Sequence, residues 1–490
     1  MFMTVKAKHL HPLALIVFLV EEVKTWWLLL LLGAINGLWW VLLAAICLGL
    51  ALIVGRYATM TYAITTNEIV IKSGIFNKKQ HHLTYPKIQT FQTKQWFFMK
   101  PLHLVSLKIE TSAHVDNQAD ASLPVITVKE VRELERLKQN SYSEINEPAE
   151  ATSTNAEPQH SETKQAQYQI KWRDLNLYAL TSFSVVPILV GVLAIYSNLD
   201  DVLPDHYINQ IFSRFSQQTA MVIILDVVCL ILLAIVAAYL LIIQRYYHFT
   251  IVHQGSQLTT KKGFFQTSRV TVRLNRIQSV VYVQSWLRRL LHLTTVQALV
   301  AANASDDEDS GDVVIMPVVQ TKDVQHQTRR FINWLPSQDV VPASWRQTNA
   351  HGRWALIRNR LLVTAIVVIP TCIFWRPYGL LSLILLPVAW GLGAYVGKTN
   401  GLGVTENHIL VAQVGRLFGQ KRYYMPKKNI QSMRISQSIF MRRTGLVHLE
   451  IRLRSGNSEL LVENRYLPKR DAQTIYNWYR QTDMDKEAIQ

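Results

Sequence analysis

The chain has 490 residues, 51 Lys and Arg against 34 Asp and Glu, a net charge of +17, and 49% hydrophobic but only 17% charged residues. Soluble domains carry about 25% charged residues, so a purely soluble protein is disfavoured, and the apolar content excludes a fully disordered chain. With three cysteines, a disulfide scaffold is excluded as well.

A bilayer span needs roughly 20 apolar residues. Residues 25–55 hold Trp26-Trp27, an all-leucine run over 28–32, Trp39-Trp40 and an uncharged stretch to Gly55. That block is too long for one span and short for two. A turn at Gly33-Ala34-Ile35-Asn36-Gly37, with a first helix starting upstream near His11 and carrying Glu21, Glu22 and Lys24 near the interface, makes residues 1–55 a hairpin. A single tilted span is the alternative. A β-rich module follows over 56–140. Residues 141–170, rich in Glu, Ser, Thr, Ala, Gln and Asn, read as a disordered linker. The second hairpin, 171–244, has spans at 177–197 and 219–243 around a polar turn with Asp200, Asp201 and Asp205. A second module covers 245–340. The third hairpin, 341–397, has spans at 355–374 and 379–396 around Arg376-Pro377, followed by a third module over 398–482 and a tail over 483–490. Pro187, Pro370 and Pro387 fall inside spans, where neighbouring helices can satisfy the freed backbone groups.

Orientation follows the excess of positive charge on cytoplasmic flanks. Lys24, Arg56, Lys171, Arg173, Arg245, Arg353, Arg358, Arg360 and Lys398 stand on the module side, against Arg214 and Arg376 in the turns. The modules are therefore expected in the cytoplasm of a multi-pass plasma-membrane protein.

The polar regions repeat. Strand, turn, strand and glycine recur before Gly74, Gly263 and Gly415. Ile88-Gln89, Ile277-Gln278 and Ile430-Gln431 follow those glycines after 14, 14 and 15 residues. Seven beyond each Ile stands Gln95, Gln284 or Gln437, and sixteen beyond stands Leu104, Leu293 or Leu446. Amphipathic stretches over 129–138, 322–335 and 469–480 close the three copies. Short strands with glycine turns suggest a small barrel or sandwich.

The pattern Gly74-Ile75-Phe76, Pro86-Lys87-Ile88-Gln89 and Leu104 after a hydrophobic hairpin resembles the bacterial PH-like, membrane-flanked domain family. Three copies over nearly the whole chain resemble its long members. The third copy, with Pro426-Lys427-Lys428-Asn429-Ile430-Gln431 and Arg442-Arg443-Thr444-Gly445-Leu446, matches best; the first departs at Trp96-Phe97-Phe98-Met99-Lys100-Pro101. The resemblance implies an α+β membrane protein: three transmembrane helical hairpins, each followed by a PH-like small β-barrel with a C-terminal helix. It implies no reaction. It also implies a smaller membrane protein of the same family as companion and a role in envelope stress or antimicrobial-peptide defence.

Charge is the main functional signal. Residues 398–480 hold 15 Lys and Arg against 5 Asp and Glu. A basic module tethered to a bilayer attracts anionic headgroups, with Arg416, Lys421, Arg422, Lys427, Lys428, Arg442 and Arg443 as candidate contacts. Positive-inside bias alone gives the same charge, and no nucleic-acid motif accompanies it. Gln89, Gln278 and Gln431 are core and turn residues or line a partner groove. Asp226, inside a span, is a functional candidate by depth; it carries the alternative reading of a lipid or peptide transport component. Cys47, Cys229 and Cys372 sit in apolar context, the histidines form no metal motif, and no phosphate loop or catalytic triad motif occurs. No enzyme, cofactor or metal site is expected.

Overall fold

The computed structural model describes residues 7–35, 39–75, 77–111, 121–146, 166–182, 220–301, 312–337, 344–375, 378–417, 419–456 and 458–487. The first repeat runs β1 (Lys8–His9), α1 (Ala14–Ile35), α2 (Trp39–Thr59), β2 (Thr61–Ile64), β3 (Glu68–Ser73), β4 (Lys79–Thr84), β5 (Ile88–Trp96), β6 (Leu104–Thr111), β7 (Ala121–Thr127) and α3 (Val128–Asn146). The second runs β8 (Ala166–Gln169), α4 (Trp172–Leu180), α5 (Ala220–Tyr246), β9 (Thr250–Gln254), β10 (Gln257–Lys262), β11 (Gln266–Arg273), β12 (Ile277–Ser285), α6 (Trp286–Leu290), β13 (Leu293–Val300), β14 (Asp312–Gln320) and α7 (Val324–Arg329). The third runs β15 (Arg346–Gln347), α8 (Ala350–Phe374), α9 (Leu385–Thr399), β16 (Gly401–Val404), β17 (Ile409–Arg416), β18 (Gly419–Pro426), β19 (Ile430–Ser436), α10 (Ile439–Arg442), β20 (Leu446–Ser455), β21 (Ser458–Pro468) and α11 (Lys469–Glu487).

Four described helices are long and apolar enough to cross a bilayer: Trp39–Thr59, Val228–Tyr246, Ala350–Phe374 and Gly379–Thr399. α1 and α2 lie side by side, with Arg56 Nη1 at 3.1 Å from Glu22 Oε1; residues 36–38, where the sequence places part of the turn, lie outside the described residues. The second block enters on α4, but residues 183–219, with Pro187, most of the expected span and its turn, lie outside the described residues, as do Arg376 and Pro377.

Within a repeat, alternating side chains give two three-stranded meanders that pack face to face. In the first, Ile69, Ile71 and Leu83 of one meander meet Leu107, Ile109 and Leu123 of the other, and Val131 and Leu134 of α3 cover the end. Thr127 and Glu130 start α3 with reciprocal bonds, Thr127 N to Glu130 Oε2 at 3.1 Å and Glu130 N to Thr127 Oγ1 at 3.3 Å. Burial alone would raise the Glu130 pKa. Hydrogen bonds from Lys8, Thr127 and Tyr62 outweigh it and hold the carboxyl below its ordinary range.

The expected barrels do not close. Among the described residues the strands form four open sheets, ordered β1-β2-β3-β4, β7-β6-β5-β11-β10-β9-β8, β14-β13-β12-β18-β17-β16-β15 and β19-β20-β21. Each seven-stranded sheet joins the second meander of one repeat to the first meander of the next. The cause is local and occurs three times. A 3-10 turn precedes each repeated Ile, at Tyr85–Lys87, Leu274–Arg276 and Lys427–Asn429. A register shift follows it, at Ile88/Thr90, Ile277/Ser279 and Ile430/Ser432. Such irregularities bend the strand. The chain therefore leaves the first sheet instead of continuing it, and both meanders keep a free edge for a neighbour.

Two other expectations change. The segment 141–170 is structured at both ends, by α3 through Asn146 and by β8, which pairs with β9; residues 147–165 lie outside the described residues. The closing stretch over 322–335 is helical only through Arg329. Beyond it, Phe331, Ile332 and Leu335 are buried while Gln325 Nε2 donates to Pro336 O at 2.8 Å, tying the folded-back end to the helix.

Candidate functional site at the membrane-facing ends

All three modules dock in the same way on the helix that precedes them. In the first, the turn after β3 lies against α2, with Ile75 packed at Gly55. In the second, Gly263 N and Phe264 N donate to Tyr247 O at 2.9 Å and Gln244 O at 3.0 Å, at the end of α5. In the third, Gly415 N donates to Asn400 Oδ1 at 2.7 Å, at the end of α9. Each turn tip is thereby fixed at the mouth of a membrane helix. Gly263 has φ +109°, and a Cβ there would stand 2.0 Å from Gln266 O, so this turn requires glycine.

The shared sheets bring a second apolar loop beside each inner turn. Pairing of Trp96 with Gln266 sets Phe97 against Phe265, with ring centroids 6.2 Å apart, and Lys100 Nζ donates to Phe264 O at 3.1 Å. Phe97, Phe264 and Phe265 are exposed and, with Lys100, Lys261 and Lys262, line a cavity of about 520 Å³. Apolar rings beside ammonium groups suit the bilayer interface, where rings enter the acyl boundary and cations meet phosphates.

At the foot of α8 and α9, beside β17 and β21, lies a cavity of about 590 Å³ lined by Arg360, Arg416 and Arg465 with Asn359, Asn400 and Tyr466. Arg465 Nη2 pairs with Glu463 Oε2 at 2.7 Å. Among the described residues, Arg360 Nη1 is buried and has no hydrogen-bond partner.

Of the seven basic residues singled out from sequence, Arg416 lines this cavity. Arg442 and Arg443 are exposed beside α10, whose Met441 packs on Ala355 of α8. The others do not line the cavity, although Lys421 lies close enough to Arg416 and Asp312 to feel both charges. Lys421 and Arg422 lie along β18, where Arg422 Nε donates to Gln413 Oε1 at 2.8 Å. Burial lowers the Lys421 pKa, with Asp312 opposing. Lys427 and Lys428 stand beyond β18 at the end away from the turn, and Lys427 Nζ donates to Trp478 O. An eight-residue strand spans about 25 Å, so one headgroup cannot meet both ends.

The three glutamines do not form one groove, because Gln89, Gln278 and Gln431 begin strands in three different sheets. Gln278 Nε2 donates to Arg276 O at 3.4 Å and Gln431 is exposed, whereas the Gln89 side chain lies outside the described residues. Asp226 falls on α5, and its side chain also lies outside them. Among the described residues no group of three or more His, Cys, Asp or Glu is placed to hold a metal.

One residue escaped the sequence reading. Arg288 is buried, its guanidinium donating to Thr181 Oγ1 at 3.1 Å, Thr295 Oγ1 at 2.6 Å and Ser182 Oγ at 2.8 Å, and it lies 4.5 Å from the Tyr178 ring. Its counterparts eleven beyond the repeated Ile are Met99 and Met441, both buried. Aligning the three copies at that offset was the available signal.

The model of the family described as "Bacterial PH domain" matches residues 16–141, 207–332 and 361–483. The chain belongs to the bacterial PH domain family. It is also similar to the UPF0699 transmembrane protein YdbT of Bacillus subtilis (strain 168), with 26% identity over 430 residues, covering 86% of this chain and 85% of that protein. No solved structure matches. The family match and the apolar helices together make this bacterial PH domain protein a membrane protein with an internal threefold repeat, in contact with the lipid bilayer.

Proposed function

We propose that the protein is a non-catalytic membrane scaffold: three helical hairpins, each followed by a cytoplasmic PH-like module that binds anionic headgroups at the bilayer surface. The carrying observation is the arginine cavity at the foot of the third hairpin. Arg360, Arg416 and Arg465 converge there beside helices long enough to span a bilayer, and Arg360 Nη1 keeps a buried donor unmatched. A buried unpaired donor is costly, and a phosphate oxygen is the acceptor a guanidinium binds best. The Phe97, Phe264 and Phe265 tips with Lys100, Lys261 and Lys262 support the same surface at the second hairpin. The excess of Lys and Arg on the module side supports cytoplasmic modules. Joined sheets hold the three modules together, so weak individual contacts add. Such a scaffold suits a role in envelope stress or antimicrobial-peptide defence.

The test is native mass spectrometry of the full-length protein in detergent with equal phosphatidylglycerol and phosphatidylcholine. The expected result is preferential retention of phosphatidylglycerol, reduced several-fold in the Arg416→Gln, Arg465→Gln double variant and by added salt. Equal retention of both lipids would remove the proposal.

A further inference from the structure

Two sheet edges are left over by the way the modules join. Among the described residues, β11 pairs with β5 and β18 with β12, while β4 and β19, the corresponding strands at the two ends of the chain, each pair on one side only. Both internal junctions have the same register. The residue three beyond the repeated Ile faces the residue six before the next: Phe91 faces Thr271, and Val280 faces Tyr424. Ile430 and Met433 of β19 are buried in their own module, but Ser432 and Arg434 are exposed where their counterparts Thr90, Ser279, Gln92 and Val281 are buried. Thr90 and Ser279, each two beyond the Ile, are 2% and 0% exposed, and Ser279 Oγ donates to Tyr424 O across the junction at 2.9 Å; the counterpart Ser432 is exposed. The loop beyond β19 follows suit. Phe97 meets Phe265 of the next module, whereas Ile439 and Phe440 are 86% and 87% exposed.

We infer that β19 of one chain pairs with β4 of a second copy, head to tail, by the same register that joins the modules within a chain. It is the first meander that pairs with such an edge at both internal junctions, and among the described residues the meander of that kind left open is the chain's own β2-β3-β4. Charge on β4 does not bar pairing, because Arg269 on β11 and Lys421 and Arg422 on β18 also lie in paired strands. The geometry suits one bilayer, since all three turn tips dock at the ends of their preceding membrane helices. The contact is heterologous, so it builds a ring if the rotation closes and a filament in the membrane if it does not.

The register fixes the test. Ser436 falls opposite Lys79 of the neighbour, as Lys94 falls opposite Ser268 within the chain. Cysteines are introduced in the full chain with Cys47, Cys229 and Cys372 replaced by Ala, and membranes are oxidised before non-reducing electrophoresis. The Ser436→Cys, Lys79→Cys double variant is expected to give a ladder of multimers. Mixed single variants should give dimers only, and each single variant alone should stay monomeric. The Lys94→Cys, Ser268→Cys variant verifies the chemistry by closing within one chain. Monomer alone from the double variant, with that internal bond formed, would overturn the inference. Self-linking of either single variant would indicate a symmetric contact and also overturn it. So would a link to a different, smaller protein, which would assign the edge to another partner. None of these outcomes bears on headgroup retention, so the two proposals fail separately.

Discussion

Gln284 Oε1 accepts a 2.6 Å hydrogen bond from Gln420 Nε2, across the boundary between the second and third modules. The same Gln284 amide donates to Leu293 O, Thr294 Oγ1 and Thr321 Oγ1 within its own module. Gln95 and Gln437 make the equivalent internal bond, to Leu104 O and Leu446 O, each at 3.0 Å. The glutamine is thus a module brace that, at this junction, also binds the neighbour. Gln420→Ala should cost about 1 kcal/mol, the net value of one such bond. Gln284→Ala should cost more, about 1–3 kcal/mol, because it leaves a strand carbonyl and the Gln420 amide without a partner. A double-mutant cycle on thermal unfolding of the purified protein measures the coupling. Strict additivity would show that the cross-boundary bond contributes nothing.

The brace explains what the sequence could and could not show. The offsets from Ile88 to Gln95 and Leu104, and from Ile277 to Gln284 and Leu293, are legible because both partners lie within one module. The αL turn before the leucine is missed, because two of its three residues are histidine rather than glycine: His103, His292 and Gly445 all have positive φ, and each carbonyl accepts a later amide, from Val128, Thr321 and Lys469. The pairing of β5 with β11 is different. Residue alternation in Ile88–Trp96 is the same whether its free edge meets β4 or a strand far along the chain, so sequence reads a barrel where the chain builds shared sheets. Charge counting fails similarly, since it sums Arg416, which pairs with Gly419 at the start of β18, with Lys427 and Lys428, which follow its far end.

Lys138 of α3 makes the first module sensitive to pH. Its ammonium lies 4.5 Å from the centroid of the Phe91 ring, and burial, aided by Arg273 and opposed by Glu135, lowers its pKa to about 7. An unfolded lysine titrates near 10.4. Between these values the unfolded chain binds the proton and the folded chain does not, so stability increases as pH rises from about 7 to about 10.4. The contribution is fully present above the unfolded value and is lost as pH falls through the folded one. Melting of wild type and Lys138→Met at pH 7 and pH 9 should differ in slope. Wild type gains about 1–3 kcal/mol more than the variant over that interval, with roughly 1.4 kcal/mol for each pH step of one as the ceiling. Parallel melting curves would show that Lys138 is charged in the fold.

Arg288 is a buried cation where the sister modules carry Met99 and Met441. Its hydroxyl partners do not depend on it as donors: Thr181 Oγ1 donates to Leu177 O, Ser182 Oγ to Tyr178 O and Thr295 Oγ1 to Pro317 O. Replacing the arginine with methionine therefore removes a buried charge without leaving a hydroxyl proton unmatched. Apolar replacement of buried ionic groups is often neutral or stabilising, so Arg288→Met should melt at or above wild type. Arg288→Ala empties the site and should cost about 2–5 kcal/mol, the range for truncating a large buried side chain. The comparison is made by thermal unfolding of full-length protein in one detergent. If Met destabilises as much as Ala, the guanidinium itself holds α4 to the second module, through Thr181 and Ser182, and the charge is structural in a way the two sister modules do without.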